Sequence, residues 1–216
     1  MRIAHGDPAP GEITFGGYNP SRISEPLLPL PLAPSPDQFA RLNVWMSSVS
    51  LTVNNKTTNL RPDRSNSLGV STTLDTGNPN SNVPYAMYYQ LISLLGVNPK
   101  TNEIDCQYYR SNNGGLTYTF YGFDGKYAEI WVPFWQIIEY SPPACRFTVY
   151  SEFDCSIGGL HVSCTSLGAD FLRAAYIYVN YDNSTVSMAQ AAYPTSPRSP
   201  VEFDKIGTNG QARLIV

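Results

Sequence analysis

Five prolines crowd residues 24–36, at positions 26, 29, 31, 34 and 36, with Pro20 just ahead of them. Each fixes φ and removes a backbone donor, so no helix can run through the stretch, which reads as an extended edge or connector. The same punctuation recurs throughout, with 18 Pro and 16 Gly among 216 residues. Between the breaks the apolar residues alternate. Val49, Leu51 and Val53 are interleaved with Ser50 and Thr52, and Leu116, Tyr118 and Phe120 with Thr117 and Thr119. Period two is the pattern of a strand with one buried face, so the chain is expected to be mainly β.

Other segments agree. Gly11–Gly17 reads as a short strand closed by glycines, and Tyr18-Asn-Pro-Ser21 has turn chemistry. Asn54-Asn55 offers a hairpin turn. Gly69–Asp75 is a strand rich in β-branched residues that ends at an acid, followed by Thr76-Gly77-Asn78-Pro79. One good helix follows: Ser81 or Asn82 can cap it, Pro84 suits its first turn, Tyr88, Leu91 and Leu95 share a face, and Gly96 ends it. Strands are expected again over Tyr127–Val132 and Arg146–Tyr150. Ala175–Tyr181 and Thr185–Ala189 flank a hairpin at Asp182-Asn183-Ser184. No internal repeat or second composition regime appears, so one domain is expected.

Hydrophobic residues make up 42% of the chain, enough to build a core. The 14 Lys and Arg against 17 Asp and Glu leave a net charge of −3, without any basic run. That balance offers no electrostatic footprint for nucleic acid or anionic membranes. No apolar stretch reaches the length of a membrane span. Met1-Arg-Ile-Ala-His5 leads into Gly-Asp-Pro, where a signal peptide would need an apolar region, so no export address is expected in the chain as written.

Four cysteines, Cys106, Cys145, Cys155 and Cys164, lie apart with no C-x-x-C among them, and only His5 and His161 could add nitrogen ligands. That pattern gives little support for a metal site, and two disulfides are the better reading, with three pairings open. Asn55-Lys-Thr57 and Asn183-Ser-Thr185 are N-glycosylation acceptors, which fits a secreted product.

The sequence carries no G-x-S-x-G, Walker loop, H-E-x-x-H or G-x-G-x-x-G. A cysteine nucleophile paired with His161 is outweighed by a structural role for scattered cysteines. What remains is Asp75-Thr76-Gly77 at the end of a strand. A strand delivers the carboxylate to a fixed place, Gly allows close backbone approach, and Thr can hydrogen-bond to a matching loop. Taken alone, such a triplet reads as an Asx or hairpin turn.

The flanking residues give it context. Gly11-Glu-Ile-Thr-Phe-Gly-Gly-Tyr-Asn-Pro-Ser-Arg22, Ser71-Thr-Thr-Leu-Asp-Thr-Gly77, Ser81-Asn-Val-Pro84 with the helix after it, Leu167-Gly-Ala-Asp-Phe-Leu-Arg173 and Ser187-Met-Ala-Gln190 follow one another in a familiar order. Together they resemble the C-terminal half of the pepsin family of aspartic proteases, most of all its secreted fungal members. The resemblance implies a mainly β single lobe of a pepsin-like barrel with one or two short helices. It divides the chain into a lead-in at 1–10, the lobe at 11–193 and a tail at 194–216.

The resemblance further implies that Asp75 is catalytic, supported by Thr76, Gly77 and Asn78, that Cys106 pairs with Cys145, and that Cys155 and Cys164 form a second pair across a hairpin. Polypeptide substrates, no cofactor, and an extracellular or vacuolar full-length parent are likewise implied. There are departures. Asn78 stands where Ser or Thr is usual, an amide N–H there being able to replace the hydroxyl as donor to the carboxylate. Ser166 replaces an apolar residue, and Ala169 interrupts the L-G-D string, which implies a loosened loop behind the site.

The family mechanism uses two carboxylates that share one proton, hold a water, deprotonate it and protonate the leaving amine. This chain supplies a single Asp-[ST]-Gly loop. Activity as an aspartic endopeptidase therefore requires a second lobe, upstream or as a separate chain, or a homodimer. The alternative is a non-catalytic, truncated pseudoprotease or peptide-binding module. Loss of a partner lobe should also bare apolar surface near Ile13 and Phe15.

Overall fold

The computed structural model describes residues 13, 17–33, 42–62, 67–111, 113–157, 160–180, 183, 185–192 and 204–205, the side chains of 154–157, 160–163 and 204–205 excepted. The first half holds strands β1 (Gly17–Tyr18), β2 (Leu28–Pro31), β3 (Asn43–Val53), β4 (Lys56–Leu60), β5 (Val70–Leu74) and β6 (Ser81–Val83), then helix α1 (Tyr85–Leu95). After it come β7 (Glu103–Ile104), α2 (Cys106–Arg110), β8 (Gly115–Tyr121), β9 (Tyr127–Pro133), α3 (Phe134–Ile137), β10 (Ile138–Ser141) and β11 (Ala144–Phe147). The remainder is β12 (Val149–Ser151), β13 (Phe153–Ile157), β14 (Leu160–Leu167), α4 (Ala169–Leu172), β15 (Ala175–Asn180), β16 (Thr185–Gln190) and β17 (Asp204–Lys205).

Most strands join one sheet in the order β12-β6-β14-β5-β3-β8-β9, with β4 added on β3 and β13 on β14. Among the described residues this sheet stays open rather than closing into a barrel. The alternation read from the sequence is what packs it. Leu116, Tyr118 and Phe120 of β8 are fully buried, as are Ile130 and Val132 of β9, while the threonines between them face partly outward. Phe171 of α4 meets Tyr118 and Phe120 edge-on, with ring centroids 5.0 and 5.5 Å apart.

The proline-rich stretch forms β2, an edge strand paired with β16, which is the placement that missing backbone donors allow. Its Pro34 and Pro36 lie outside the described residues. Pro20 starts a single 3₁₀ turn whose cap is Asn19, the Asn19 side chain accepting from Ser21 N–H at 3.0 Å. Of the expected strand at 11–17, Gly17 lies in β1 and Ile13 is in no strand, and the other five residues fall outside the described residues. Part of the expected tail returns as β17, which pairs Lys205 with Gly17 and Asp204 with Tyr18.

The expected hairpins are present at Val53–Lys56, turning on Asn54 and Asn55, and at Asn180–Thr185. Among the described residues there are four helices instead of one or two, because α2, α3 and α4 run only four or five residues, too short to show a 3.6-residue period. Helix α1 starts later than its expected caps allow: Pro84 occupies the N-cap without a side-chain hydrogen bond, while Ser81 and Asn82 belong to β6. It ends as expected at Gly96, whose φ of 66° is the left-handed value that glycine adopts without strain.

Candidate active site

Strand order determines where Asp75 sits. β14 lies between β5 and β6, parallel to β5 through Leu167 opposite Leu74, and antiparallel to β6 through Ser166 opposite Asn82. The segment joining β5 to β6, residues 75–80, must therefore pass over the end of β14. Asp75 N–H donates to the Leu167 carbonyl at 2.9 Å, and Ala169 N–H donates to the Asn78 carbonyl at 2.8 Å. Between these bonds Gly168 lies so close that a Cβ built on it would stand 2.3 Å from Asn80 O and 2.5 Å from Asn78 O. Only a residue without a side chain fits there.

Asp75 is half-buried, and Thr76 and Gly77 are exposed. The Asp75 carboxylate accepts from Gly77 N–H at 3.0 Å, so the turn that carries it also orients it. Asn78 does something other than its position implied. Its Oδ1 accepts from Asn80 N–H at 3.1 Å and its Nδ2 donates to Asn82 Oδ1 at 3.3 Å, which turns the amide away from Asp75. Asn82 Oδ1 also takes Ser166 Oγ at 3.2 Å, and Asn82 Nδ2 reaches the Ser151 carbonyl at 3.0 Å. Ser166, anomalous by sequence, is thus buried and used.

The loop behind the site is tied and not loosened by Ala169. The next residue, Asp170, is 2% exposed and accepts from Ser81 N–H (2.9 Å), Phe171 N–H (2.8 Å), Thr148 Oγ (3.2 Å) and Ser81 Oγ. Ser81 Oγ itself accepts from Gly168 N–H at 3.1 Å. Burial raises the Asp170 carboxyl from 3.8 to about 6, against the pull of those donors. Ser81, Asn82, Thr148 and Asp170 went unrecognised as supporting residues. Their partners are distant in sequence, and the one local signal, the segment Leu167–Arg173, is the one that Ala169 interrupts.

A family model of eukaryotic aspartyl proteases matches residues 3–191. The chain belongs to the eukaryotic aspartyl protease family. Within that family it is 27% identical over 190 residues to secreted aspartic protease 8 of Candida albicans, and to the same protein of strain SC5314. The match covers 86% of this chain but only 39% of that protease, so the chain spans about two fifths of the curated relatives it matches. The mainly β lobe described above is the architecture expected of one pepsin-like half.

Cys106 and Cys145 form a disulfide with Cα atoms 5.3 Å apart, fastening α2 to β11. Cys164 is also disulfide-bonded. The register of β13 on β14 sets Cys155 opposite Val162 and Cys164 opposite Phe153, while the Cys155 side chain lies outside the described residues. The same holds for the side chain of His161, and His5 is outside altogether. Cys106, Cys145 and Cys164 are thereby occupied, which removes the cysteine-nucleophile alternative for those three. Asn55 and Asn183, expected from their triplets to be glycan acceptors, are both exposed at turns. Ile13 is exposed at 55%; Phe15 lies outside the described residues.

Proposed function

We propose that this chain is one half of an aspartic endopeptidase, with Asp75 as one of two carboxylates that share a proton and activate water for attack on a peptide bond. The observation that carries the reading is the open face of the loop. Asp75 is fixed by the strand before it and by Gly77 N–H, while Thr76 and Gly77 are exposed, leaving room for a matching loop to bring a second carboxylate close. Two adjacent carboxylates cannot both ionise readily, which is how such a pair serves as base and acid together. One alone lacks half of that chemistry, and losing a positioned acid or base typically costs about 10²–10⁴-fold in rate.

The second Asp-[ST]-Gly loop then comes from another lobe or a second copy, and the substrate is an extended polypeptide. The relative's name, a secreted protease, together with the disulfides and glycan acceptors, supports an extracellular or vacuolar site of action. The test is cleavage of a denatured protein at acid pH, with and without a statine-type inhibitor, by the chain alone and by the chain mixed with an N-terminal lobe of the Candida relative. Inhibitor-sensitive cleavage in either case, abolished by Asp75→Asn, supports the reading.

A second reading, a non-catalytic peptide-binding module, is favoured by the Asn78 amide, which turns to Asn80 and Asn82 and leaves the Asp75 carboxylate without a donor from that side chain. Peptide binding without cleavage in every mixture would select it.

A further inference from the structure

The link between Asp75 and the buried Asp170 runs through Ser81. Ser81 is the first residue of β6, where the Asp75 loop re-enters the sheet, and its N–H and hydroxyl both bond the Asp170 carboxyl. The groups acting on that carboxyl come from four places: Ser81 on β6, Thr148 ahead of β12, Phe171 N–H on its own helix, and Tyr118 on β8. Tyr118 is the only titratable side chain among them, and its hydroxyl is buried without a hydrogen-bond partner. Among the described residues no cation is set against Asp170.

We propose that Asp170 is a positioning residue for the Asp75 loop, acting through Ser81, and that its protonation holds the loop closed while its ionisation frees it. The geometry supplies the mechanism. A protonated carboxyl is neutral and leaves no desolvated charge in its buried place, and Ser81 Oγ bridges it to the Gly168 N–H under the turn at Asn78–Asn80. An ionised carboxylate keeps its donors but becomes a buried charge with no counter-ion. Moving α4 away from β6 gives that charge water, so opening becomes easier once it forms. The rise from 3.8 to about 6 fits this picture, since burial outweighs four donors. The proposal deepens the aspartic-peptidase reading by giving its site an acid-dependent support, and it rests on that reading only for its catalytic meaning.

Amide hydrogen exchange of the intact chain between pH 4 and pH 8, corrected for the pH dependence of intrinsic exchange, tests it at the Asp75 and Ala169 N–H groups. Their protection should fall about 10²-fold as pH rises from about 4 to about 6 and level off above. In Asp170→Asn the fall should vanish. Thr148→Val removes one donor from the carboxylate, so the fall should extend to higher pH; this variant carries the test if Asp170→Asn does not fold. Identical pH dependence in the native chain and in the folded variants overturns the proposal, as does a change in global stability that leaves Asp75 protection untouched. Cleavage is not the readout, so a chain that shows the exchange behaviour but never cleaves refutes the peptidase reading while leaving the support role standing.

Discussion

The Asp75 amide donates to the Leu167 carbonyl across 2.9 Å, tying the candidate catalytic strand to the segment that closes the lobe. Everything near the site is arranged about this crossing, because residues 75–80 must step over the end of β14 to reach β6. The fit is tight at one residue, Gly168.

Gly168→Ala puts a methyl group where Asn80 O and Asn78 O stand only 2.3 and 2.5 Å away. The backbone at 168 has φ −93°, which any residue adopts, so the cost is purely steric. Overpacking of this kind costs about 1–3 kcal/mol, to be read as a shifted urea midpoint, together with lost protection at Ala169 N–H. Stability unchanged within about 0.5 kcal/mol would show that the loop is not clamped there.

Asp170 should make native stability depend on pH. The group binds its proton more tightly when folded, with its carboxyl raised to about 6 from 3.8, so the stabilisation is complete below 3.8 and is lost as pH rises through about 6. The span corresponds to about 3 kcal/mol. Urea denaturation at pH 4 and pH 7 should show that difference narrowing in Asp170→Asn; an equal difference in both proteins would contradict it.

Much of this fold is legible in the sequence because its strands alternate cleanly. Leu116, Tyr118 and Phe120 declare their buried face, Asn54-Asn55 declares a turn, and Gly96 the end of a helix. The supporting network is not legible, because local spacing assigns Ser81 to a helix cap, whereas its partner Asp170 lies far along the chain. Likewise Asn78 looks like a stand-in donor for Asp75 until Asn80 and Asn82 are seen to take its amide. Nothing in the period of a segment reveals which distant polar group it will meet.

The Asn54-Asn55 turn offers a separate check. Both residues have positive φ, 50° and 62°, the backbone of a two-residue turn that matches strand twist. Asn55→Ala should cost about 1 kcal/mol and remove the glycan acceptor, whereas Asn55→Gly should remove the acceptor at little cost. Equal losses in the two variants, measured by thermal denaturation, would assign the effect to something other than backbone conformation.

The Cys106–Cys145 bridge closes a separation of 39 residues between α2 and β11. Replacing both cysteines with serine should destabilise the chain by about 2–4 kcal/mol in urea, chiefly by freeing the unfolded state, without altering the Asp75 loop. A loss of Asp75 amide protection greater than the global loss would mean that the bridge also shapes the site.

The central claim is that Asp75 is one member of a proton-sharing pair whose other member comes from a second loop. The most direct measurement is the rate of acid-pH cleavage of a denatured protein against chain concentration, with and without a complementary N-terminal lobe, for the native chain and Asp75→Asn. The account predicts cleavage that rises with the square of chain concentration or appears only when the lobe is added, that a statine-type inhibitor blocks, and that Asp75→Asn lowers by about 10²-fold or more. Cleavage first order in the chain alone and equally fast in Asp75→Asn, or silence in every mixture, would contradict it.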